Sequence, residues 1–446
     1  MDIKKQAKME TAELKRPSDW IAGLEWFFFI FANIVIIPIT VGKAFNLDQD
    51  SIISTLQLSF IVTGIACLLQ AFFGHKRAIL EGQSGLWWGM ILSTVSLASS
   101  QGVSMSELGG SLTVGVLISA VMTVAIGLFG WGPALAKLFN PGVMGVFMLL
   151  FGFQLIKIFL EGMLGIPMGN PPDDAKIQLS VAALTFVIAA AMIVTNIKAP
   201  KKVSKYTLLG GIVVGWAAYA LIIGPEHTVK SDASFQFELF HLGKPAWNIG
   251  IIAMAVITGL MNLANTFGAL KGTESKDLYD EETSKKQYNR SLTISGGLTA
   301  GSGLFGLVPY APFVSSIGFL EQSGIVRRLP FIIGSALFLL MGIIPPVSLF
   351  FSNIPLSIGS TVLFVAYLQL LNSSFSFFEK IRLNSRNVYR SAIPVFVAVV
   401  IMVMPDSYFS SLPGFIQPII GNGLLMGILI ALILENTIKW DHIKNS

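Results

Sequence analysis

Two apolar segments of this 446-residue chain are interrupted by polar residues, glycine and proline: residues 79–98 read ILEGQSGLWWGMILSTVSLA, and residues 309–324 read PYAPFVSSIGFLEQSG. Irregular backbone at membrane depth leaves N–H and C=O groups unpaired, so it persists only where protein or a polar cavity satisfies them. Both segments therefore predict a polar site inside a membrane protein. The interrupting residues are Glu81, Gly82, Gln83, Ser84 and Gly85 in the first segment and Pro309, Pro312, Ser315, Ser316 and Gly318 in the second.

The composition of the whole chain also indicates a membrane protein. Charged residues make up 12% of it, about half of the ~25% that is typical of soluble domains, and hydrophobic residues make up 53%. A soluble fold cannot hide so much apolar surface behind so few charges, whereas lipid covers the exterior of a membrane protein. A soluble enzyme, a nucleic-acid-binding protein and a disordered chain are therefore poor fits. The single cysteine, Cys67, excludes an intrachain disulfide.

Apolar runs that are long enough, or nearly so, to cross a bilayer as a helix recur along the chain. No small-residue cleavage site follows the first run, at about 23–41, so it is predicted to be a membrane helix and not a cleaved signal. Counting the two interrupted segments, we expect about fourteen spans. The remaining runs lie at about 51–73, 110–130, 141–160, 178–197, 207–224, 248–270, 291–308, 331–350, 357–377, 391–405 and 416–435.

The basic residues predict the orientation of these spans. If both termini are cytoplasmic, 25 of the 30 Lys and Arg residues fall in the tails or in loops on the cytoplasmic side. This distribution obeys the positive-inside rule, because cytoplasmic loops of membrane proteins are enriched in Lys and Arg. An error of one span would invert the pattern downstream of it, so an even number of spans is supported. The five exceptions are Lys43, Lys157, Lys176, Lys230 and Lys244.

The spans divide into two halves that resemble each other. A polar stretch at 225–247 separates seven spans from seven, and each interrupted segment is the third of its half. Because seven is odd, the second half enters the membrane from the opposite side. Many secondary transporters have such inverted repeats, and matching broken segments point to a binding site near the midplane. The N-termini of the half-helices there offer free N–H donors to a ligand.

Ionisable residues inside spans are candidates for function. Glu81 begins the polar run of the first interrupted segment, which either presents backbone and side chains to a substrate or is the loop end at which a helix begins. Glu25 lies near the start of the first span, and it either acts at membrane depth or reaches the cytoplasmic interface. Both acids are candidates for coupling transport to an ion.

Neutral polar residues in later spans are candidates for substrate binding. Asn262 and Thr266 of the eighth span are four residues apart and share one helix face, and Asn265 lies between them. Ser315 and Ser316 follow a proline in the second interrupted segment. Polar groups in membrane helices also join helices to one another, so packing is the alternative explanation for each of them.

Several catalytic motifs are absent from the sequence. It contains no glycine-rich phosphate loop ending in Gly-Lys-Ser/Thr, no His-Glu-x-x-His and no Gly-x-Ser-x-Gly. All four histidines lie outside the predicted spans. The sequence therefore predicts neither an enzyme nor a resident metal or cofactor, and transport driven by an ion gradient is the expected activity.

Three stretches follow one another along the chain: LEWFFFIFANIVIIP at 24–38, EGQSG at 81–85 and LPGFIQPIIGNGL at 412–424. In their order and spacing, the chain resembles the nucleobase–ascorbate transporter family of nucleobase–cation symporters, which includes uracil and xanthine permeases. LEWFFFIFANIVIIP at 24–38 is similar to the family's opening helix, and EGQSG at 81–85 looks like its Gln-Gly-x-Ser-Phe segment. LPGFIQPIIGNGL at 412–424 is similar to its closing stretch. The resemblance covers essentially residues 20–437.

The resemblance implies an all-α membrane fold of about fourteen segments in a 7+7 inverted repeat, with short strands in spans three and ten. Substrate would lie between these strands and against span eight. It also implies a core that moves against a gate, and a homodimer. The implied division is a cytoplasmic tail at 1–20, core segments at 21–130 and 248–350, gate segments at 131–224 and 351–437, an external connection at 225–247 and a cytoplasmic tail at 438–446.

The chain departs from the family where the family's chemistry lies. Asparagine can hydrogen-bond the edge of a base but cannot take up a proton as a carboxylate does. If protons are carried, Glu25 or Glu81 would replace the family carboxylate, and Na⁺ is the alternative coupling ion. At several aligned positions this chain has a different residue from the one that the resemblance implies for the family. Glu25-Trp26 stands in place of the family's Gln-His pair, Asn262 in place of a glutamate, Thr266 in place of an acidic or basic residue, Ser315 in place of a glutamate or glutamine, Ser316 in place of an asparagine and Gly85 in place of an aromatic residue.

The expected function is a secondary transporter of the cell membrane that imports a purine or related nucleobase with H⁺ or Na⁺. An anion transporter of the same fold and a non-transporting membrane receptor are the alternatives. The expected partners are a small planar nucleobase, membrane lipid and a second copy of the chain, with no nucleic acid. The predicted substrate-binding residues are Asn262, Ser315, Ser316, Ser84, Gly85, Leu86, Thr266 and Asn33, and the coupling candidates are Glu81 and Glu25.

Overall fold

The structure is a computed structural model. The residues before 17, the last six residues and most of the expected external connection lie outside the described residues. Described are residues 17–440 except 101, 167–174, 205, 225–237, 276–280, 382, 386, 410 and 414–415.

The described part of the chain is mostly helical, with two short strands and one 3-10 helix. The elements are α1 Pro17–Ile34, α2 Ile36–Ala44, α3 Gln49–Phe72, β1 Glu81–Gln83, α4 Gly85–Ser100, α5 Met105–Leu128, α6 Gly132–Leu135, α7 Pro141–Met163, α8 Leu179–Lys198, α9 Lys201–Ser204, α10 Thr207–Ile222, α11 Ile249–Ser275, α12 Glu281–Phe305, β2 Tyr310–Pro312, α13 Ser315–Ser323, α14 Arg328–Ile343, α15 Pro345–Ser352, α16 Leu356–Tyr367, α17 Gln369–Phe378, α18 Tyr389–Val403, the 3-10 helix Asp406–Phe409, α19 Gln417–Ile420 and α20 Gly423–Thr437.

Many of these helices are apolar enough to lie in a bilayer. Within the described residues, seven helical stretches are long and apolar enough to cross a membrane, and an eighth consists of the bent pair α14 and α15. Four shorter apolar helices of 10–17 residues accompany them. The chain is therefore a multi-pass membrane protein.

Among the expected spans that are not single straight helices, prolines explain the breaks in two. The first span is divided at Val35 into α1 and α2, because Pro38 has no N–H to donate to the carbonyl of Ile34. The run expected at 331–350 bends by 94° where α15 begins at Pro345 and Pro346. A proline is tolerated in the first turn of a helix but not in its interior, so a new helix starts there.

The two interrupted segments meet in the structure. Strand β1 pairs antiparallel with β2, and all six residues are buried. Ser84 N–H donates to Pro309 O at 2.8 Å and Phe313 N–H donates to Leu80 O at 2.8 Å, which extends the pairing at both ends. Each segment thereby satisfies the backbone groups that the other leaves open. The paired residues are Glu81 with Pro312, Gly82 with Ala311 and Gln83 with Tyr310.

The remaining helices pack in two sets around this strand pair. In the first set, α5 packs on α11 and α12, and α14 packs on α1 and α3. In the second set, α7 packs on α16, α17, α18 and α20, while α8, α10 and α16 contact one another. Close approach within the first set depends on glycine: a β-carbon on Gly334 would lie 2.6 Å from the carbonyl oxygen of Gly23, so α14 can contact α1 backbone to backbone.

A buried basic segment after α3 holds the C-terminal end of α11. Arg77 is fully buried, and its guanidinium donates to Leu270 O at 3.0 Å and to the hydroxyl of Thr273. A cation at this end of a helix is favourable because the helix dipole is negative there. Burial and the nearby Arg77 charge lower the pKa of His75 to about 3, so this imidazole is neutral in the folded protein.

A buried ion pair joins three helices of the second set. Arg390 at the start of α18 donates to both carboxylate oxygens of Glu435 near the end of α20, each at 2.6 Å. Asn140, which caps α7, donates to the same carboxylate at 2.9 Å. The ring of Trp440 covers the guanidinium at 5.8 Å. Three helix ends are thus fixed to one another at a single point.

Candidate functional site

The site is built where the two strands end. Helix α4 begins at Gly85, two residues after the end of β1 at Gln83, and α13 begins at Ser315, three residues after the end of β2 at Pro312. Each helix therefore directs its N-terminal N–H groups toward the region beside the strand pair, where they offer donors and partial positive charge.

Asn262 of α11 links the first strand to the second. Its side-chain oxygen accepts from the Ser84 hydroxyl at 2.6 Å and from Asn265 Nδ2 at 2.9 Å. Its own Nδ2 donates to Tyr310 O at 3.1 Å. This one amide thereby holds the end of β1, the start of β2 and the neighbouring asparagine in a fixed arrangement.

A small cavity lies against this arrangement. Ser84, Gly85, Asn265 and Ser315 line its polar side. The Ser315 hydroxyl oxygen is buried and has no hydrogen-bond partner in the described part of the chain. The aromatic and apolar lining is Met148, Phe151, Phe313, Val314, Tyr367 and Leu370, with Ala311 and Pro312 completing the wall.

This cavity shares four lining residues with a much larger one. The larger cavity is lined by Glu25 and Asn33 of α1 and reaches Tyr206 and Lys380, which lie at the ends of loops. The small cavity is therefore the inner end of a wide opening on one side. The shared residues are Val314, Ser315, Tyr367 and Leu370.

Contacts between α4, α7 and α16 close the opposite side. Trp88 packs against Phe159 with ring centroids 5.4 Å apart, and Phe159 packs against Tyr367 at the same 5.4 Å. Gln154 Nε2 donates to the Ser93 hydroxyl at 3.0 Å. The small cavity is therefore open on one side and closed on the other.

A second, smaller pocket lies behind Asn262, and we name it the hydroxyl pocket. It lies between α5, α11 and α12 and has room for one water-sized sphere. Its polar lining consists of Ser119, Thr123, Asn262, Thr266, Ser295, Thr299 and Tyr310, with Trp87, Gly259, Leu263 and Leu292 as the remaining wall.

Glu81 lies beside the hydroxyl pocket and does not line the cavity. It is fully buried, and its Oε1 accepts from the Ser295 hydroxyl at 2.6 Å. Ser295 in turn accepts from Gln70 Nε2 at 3.1 Å. Within the described residues, no group of three or more His, Cys, Asp or Glu side chains is placed to hold a metal ion.

The structure distributes the expected site residues over several places. Ser84, Gly85 and Ser315 line the small cavity, whereas Thr266 lines the hydroxyl pocket and Leu86 is buried outside the three cavities described here. The Ser316 hydroxyl accepts from Leu80 N–H at 3.0 Å, so it serves the strand pair.

Two residues of α1 lie further out, along the large cavity. Asn33 Nδ2 donates to Phe29 O at 2.8 Å, and the Glu25 carboxylate accepts from the Tyr206 hydroxyl at 3.1 Å. The second of these contacts joins α1 of the first helix set to the start of α10 in the second.

Some residues of the candidate site have no clear signal in the sequence. The sequence does not distinguish binding from packing for Asn265, although it lies three residues after Asn262 and therefore shares its helix face. Phe151 and Tyr367 lie within uninterrupted apolar runs, and no pattern there distinguishes a ring that lines a cavity from one in the core. The hydroxyls of α5 and α12 gave no signal because single Ser and Thr residues are common in membrane helices.

The sequence profile of the permease family (Xan_ur_permease) matches residues 18–407, and the chain belongs to this family. It is a permease and not an enzyme. The "Putative purine permease YwdJ" of Bacillus subtilis is 28% identical over 430 residues, which are 95% of this chain and 97% of that protein. The xanthine permease of the same organism is 22% identical over 423 residues, covering 93% and 92%. The uric acid transporter UacT of Escherichia coli is 21% identical over 428 residues, covering 93% and 85%.

Solved structures of two transporters have a similar fold. The transmembrane domain of the cyanobacterial bicarbonate transporter BicA aligns with a TM-score of 0.58 at 15% identity, covering 93% of this chain and 97% of that one. The murine anion transporter Slc26a9 in its inward-facing state aligns with a TM-score of 0.58 at 13% identity, covering 97% and 70%. At these identities the similarity concerns the fold alone.

Proposed function

We propose that the chain is a secondary active transporter of a purine or related nucleobase. The relatives named as purine, xanthine and uric acid transporters support this over nearly the whole chain. The observation that carries the proposal is the small cavity, in which amide and hydroxyl groups face aromatic rings. A planar base has two faces that stack on rings and edges that hydrogen-bond to amides and hydroxyls, so it matches this lining.

In this proposal the cavity residues have different roles. Ser315 and the side-chain oxygen of Asn265 hydrogen-bond the edge of the base, while Phe151 and Tyr367 contact its faces. Gly85 lets the ring of Phe151 pack against the start of α4, because a β-carbon there would lie 2.6 Å from that ring. Asn262 acts as a positioning residue, since its amide holds Ser84 and Asn265 in place.

The proposed architecture has fourteen membrane segments in a 7+7 inverted repeat. The first helix set forms the core, with segments at 21–130 and 248–350, and the second set forms the gate, with segments at 131–224 and 351–437. Both termini are cytoplasmic, and the chain works as a homodimer in the cell membrane. With this orientation the large cavity opens to the cytoplasm beside Lys380, so the arrangement is inward-facing.

Transport is proposed to be coupled to H⁺ or Na⁺. Glu81 and Glu25 are the acids that could carry this coupling. Glu81 lies in β1 itself and accepts from the Ser295 hydroxyl of α12, whereas Glu25 accepts from Tyr206 across the boundary between core and gate. Movement of the core against the gate would break the contact between Glu25 and Tyr206.

A second candidate function is transport of a small anion. The converging N-termini of α4 and α13 favour it, because both helices point their N–H donors at the same cavity. Competition for labelled hypoxanthine separates the two candidates. Unlabelled nucleobases displace it from a nucleobase transporter, whereas displacement by bicarbonate or sulfate indicates an anion transporter that binds purines weakly.

Two adjacent serines provide a matched test of the proposed site. Ser315→Ala should weaken nucleobase uptake and binding by about tenfold with little effect on folding, because its hydroxyl lines the cavity and has no partner in the described chain. Ser316→Ala should lower thermal stability instead, because it leaves the buried Leu80 N–H without an acceptor. If Ser315→Ala binds hypoxanthine, xanthine, uric acid and uracil as the wild type does, or if none of these bases stabilises the wild type, the proposal fails.

A further inference from the structure

The hydroxyl pocket is formed by three matched pairs of side chains. Ser119 and Thr123 of α5, Asn262 and Thr266 of α11, and Ser295 and Thr299 of α12 line it. In each pair the residues are four apart, so they lie one above the other on a helix face. Three helices thus turn a polar face toward one small space in an otherwise apolar bundle.

The oxygen atoms in this pocket present lone pairs to its interior. The Ser119 hydroxyl donates to Val116 O at 3.0 Å, and the Thr123 hydroxyl donates to Ser119 O at 2.8 Å. Because these hydrogens point to the helix backbone, the oxygens remain as acceptors. Ser295 is in the same situation, since its hydrogen is directed to Glu81.

A chain of hydrogen bonds fixes the direction of that last contact. Gln70 Oε1 accepts from His75 N–H at 3.4 Å, so Gln70 Nε2 is the atom that faces Ser291 and Ser295. Ser295 must therefore accept from Gln70 and donate to Glu81. The resulting O–H···O distance of 2.6 Å is typical of a hydrogen bond to a carboxylate.

Glu81 is consequently arranged as an acceptor without a visible counter-charge. Its second oxygen, Oε2, is buried and has no hydrogen-bond partner among the described residues. In the same part of the chain, no Lys, Arg or His side chain forms an ion pair with it. An isolated carboxylate in this environment is costly, and a cation one hydroxyl away would offset that cost.

We propose that the hydroxyl pocket binds a single Na⁺ ion. Its ligands are the oxygens of Ser119, Thr123, Thr266, Ser295 and Thr299, and its charge balances that of Glu81 through Ser295. The pocket has room for one water-sized sphere, which suits a small alkali cation coordinated by hard oxygen ligands. Gly259 allows the close packing of α5 and α11 around it, because a β-carbon there would collide with Ser119.

Bound Na⁺ would act on the substrate site through α11. Asn262 lines the hydroxyl pocket and also holds Ser84 and Asn265, so an ion at its back stabilises the arrangement that faces the cavity. This part of the inference rests on the proposed function and names its coupling ion. Binding of the ion itself does not depend on which substrate is carried.

The test is thermal unfolding of the purified full-length protein in NaCl, KCl or choline chloride at equal ionic strength. Na⁺ should raise the unfolding temperature in a saturable way that neither K⁺ nor choline reproduces. Thr123→Val and Thr299→Val should weaken the apparent Na⁺ affinity at least tenfold. Thr113→Val, which alters a buried threonine of α5 outside the pocket, should retain the wild-type affinity.

Each readout is the difference between Na⁺ and choline within one variant, so a loss of intrinsic stability does not imitate a loss of binding. Glu81→Gln removes the charge that requires balancing, and it should reduce the Na⁺ response without unfolding the protein. Absence of a Na⁺-specific shift, or wild-type Na⁺ affinity in Thr123→Val and Thr299→Val, overturns the site. In a parallel experiment, hypoxanthine is added to the same protein. Stabilisation by hypoxanthine without a response to Na⁺ refutes only the ion site, and a response to Na⁺ without stabilisation by hypoxanthine refutes only the nucleobase proposal.

Discussion

Replacing the positioning amide by an acid should make the stability of the protein depend on pH. In Asn262→Asp, one oxygen can still accept from Ser84 and Asn265, as the amide oxygen does at 2.6 and 2.9 Å. The other oxygen replaces the nitrogen that donates to Tyr310 O at 3.1 Å. An ionised carboxylate cannot donate, so two acceptors then face each other in a buried site.

The expected cost follows from the loss of this donor and from the buried charge. An unsatisfied buried group costs about 1–3 kcal/mol and a charged one more, so Asn262→Asp should be less stable than the wild type by at least about that amount at pH 7.5. At pH 5 a larger fraction of the carboxyl carries a proton, which restores a donor to Tyr310 O. The deficit relative to the wild type should therefore shrink as the pH falls.

Asn262→Ala is the matched control for this prediction. It removes all three hydrogen bonds and should cost about 3 kcal/mol, taking about 1 kcal/mol for each, with no dependence on pH. The assay is thermal unfolding followed with a thiol-reactive dye, because Cys67 is the single cysteine and is fully buried in the folded protein. Each variant is compared with the wild type at the same pH. A deficit of Asn262→Asp that is absent at pH 7.5, or is equal at both pH values, would refute the reasoning.

Three further predictions concern other parts of the fold. Arg390→Ala or Glu435→Ala leaves a buried charge unpaired and should lower the free energy of unfolding by about 3–5 kcal/mol. In the same unfolding assay, the double variant Arg390→Met with Glu435→Leu should recover most of this lost free energy. The pKa of His75 is about 3 in the folded protein and ~6.5 in the unfolded chain, so between pH 3 and pH ~6.5 only the unfolded state gains a proton. The free energy of unfolding should therefore fall by about 1.4 kcal/mol per pH unit below pH ~6.5, and His75→Asn should remove this slope from pH-dependent unfolding curves. Gly85→Val should abolish nucleobase uptake while the protein still folds, since its side chain would overlap the ring of Phe151, which lines the cavity. The control Gly301→Ala, where the β-carbon has no neighbour within 4 Å, should transport normally, and uptake by Gly85→Val would contradict the assigned site.

Much of the architecture is predictable because membrane insertion leaves a strong pattern in the sequence. Long apolar runs and the distribution of Lys and Arg give the approximate positions of helices such as α7 and α11. Glycine and proline within apolar runs locate the two broken segments. The bend before α15 is also predictable, because Pro345 and Pro346 lie within the run expected at 331–350.

The site itself was less predictable, because its parts come together only in three dimensions. The sequence indicates that Glu81 and Ser84 belong to one polar segment, but not that Glu81 lies beside the hydroxyl pocket and Ser84 lines the cavity. That difference depends on where the strand ends and α4 begins. Likewise, Ser315 and Ser316 are neighbours of the same type, and only the position of Leu80 N–H assigns the second to the strand pair.

The antiparallel pairing of β1 with β2 has a consequence for how the protein is made. The pairing of Glu81 with Pro312 cannot form until the ribosome has added Pro312, 231 residues after Glu81. At about 5–20 residues per second, that delay is roughly 12–46 s. During this interval the first broken segment sits in the nascent protein with no strand beside it. We therefore expect the insertion machinery or a neighbouring helix to shelter it, and truncations that end before β2 to be degraded rather than to accumulate as a stable half.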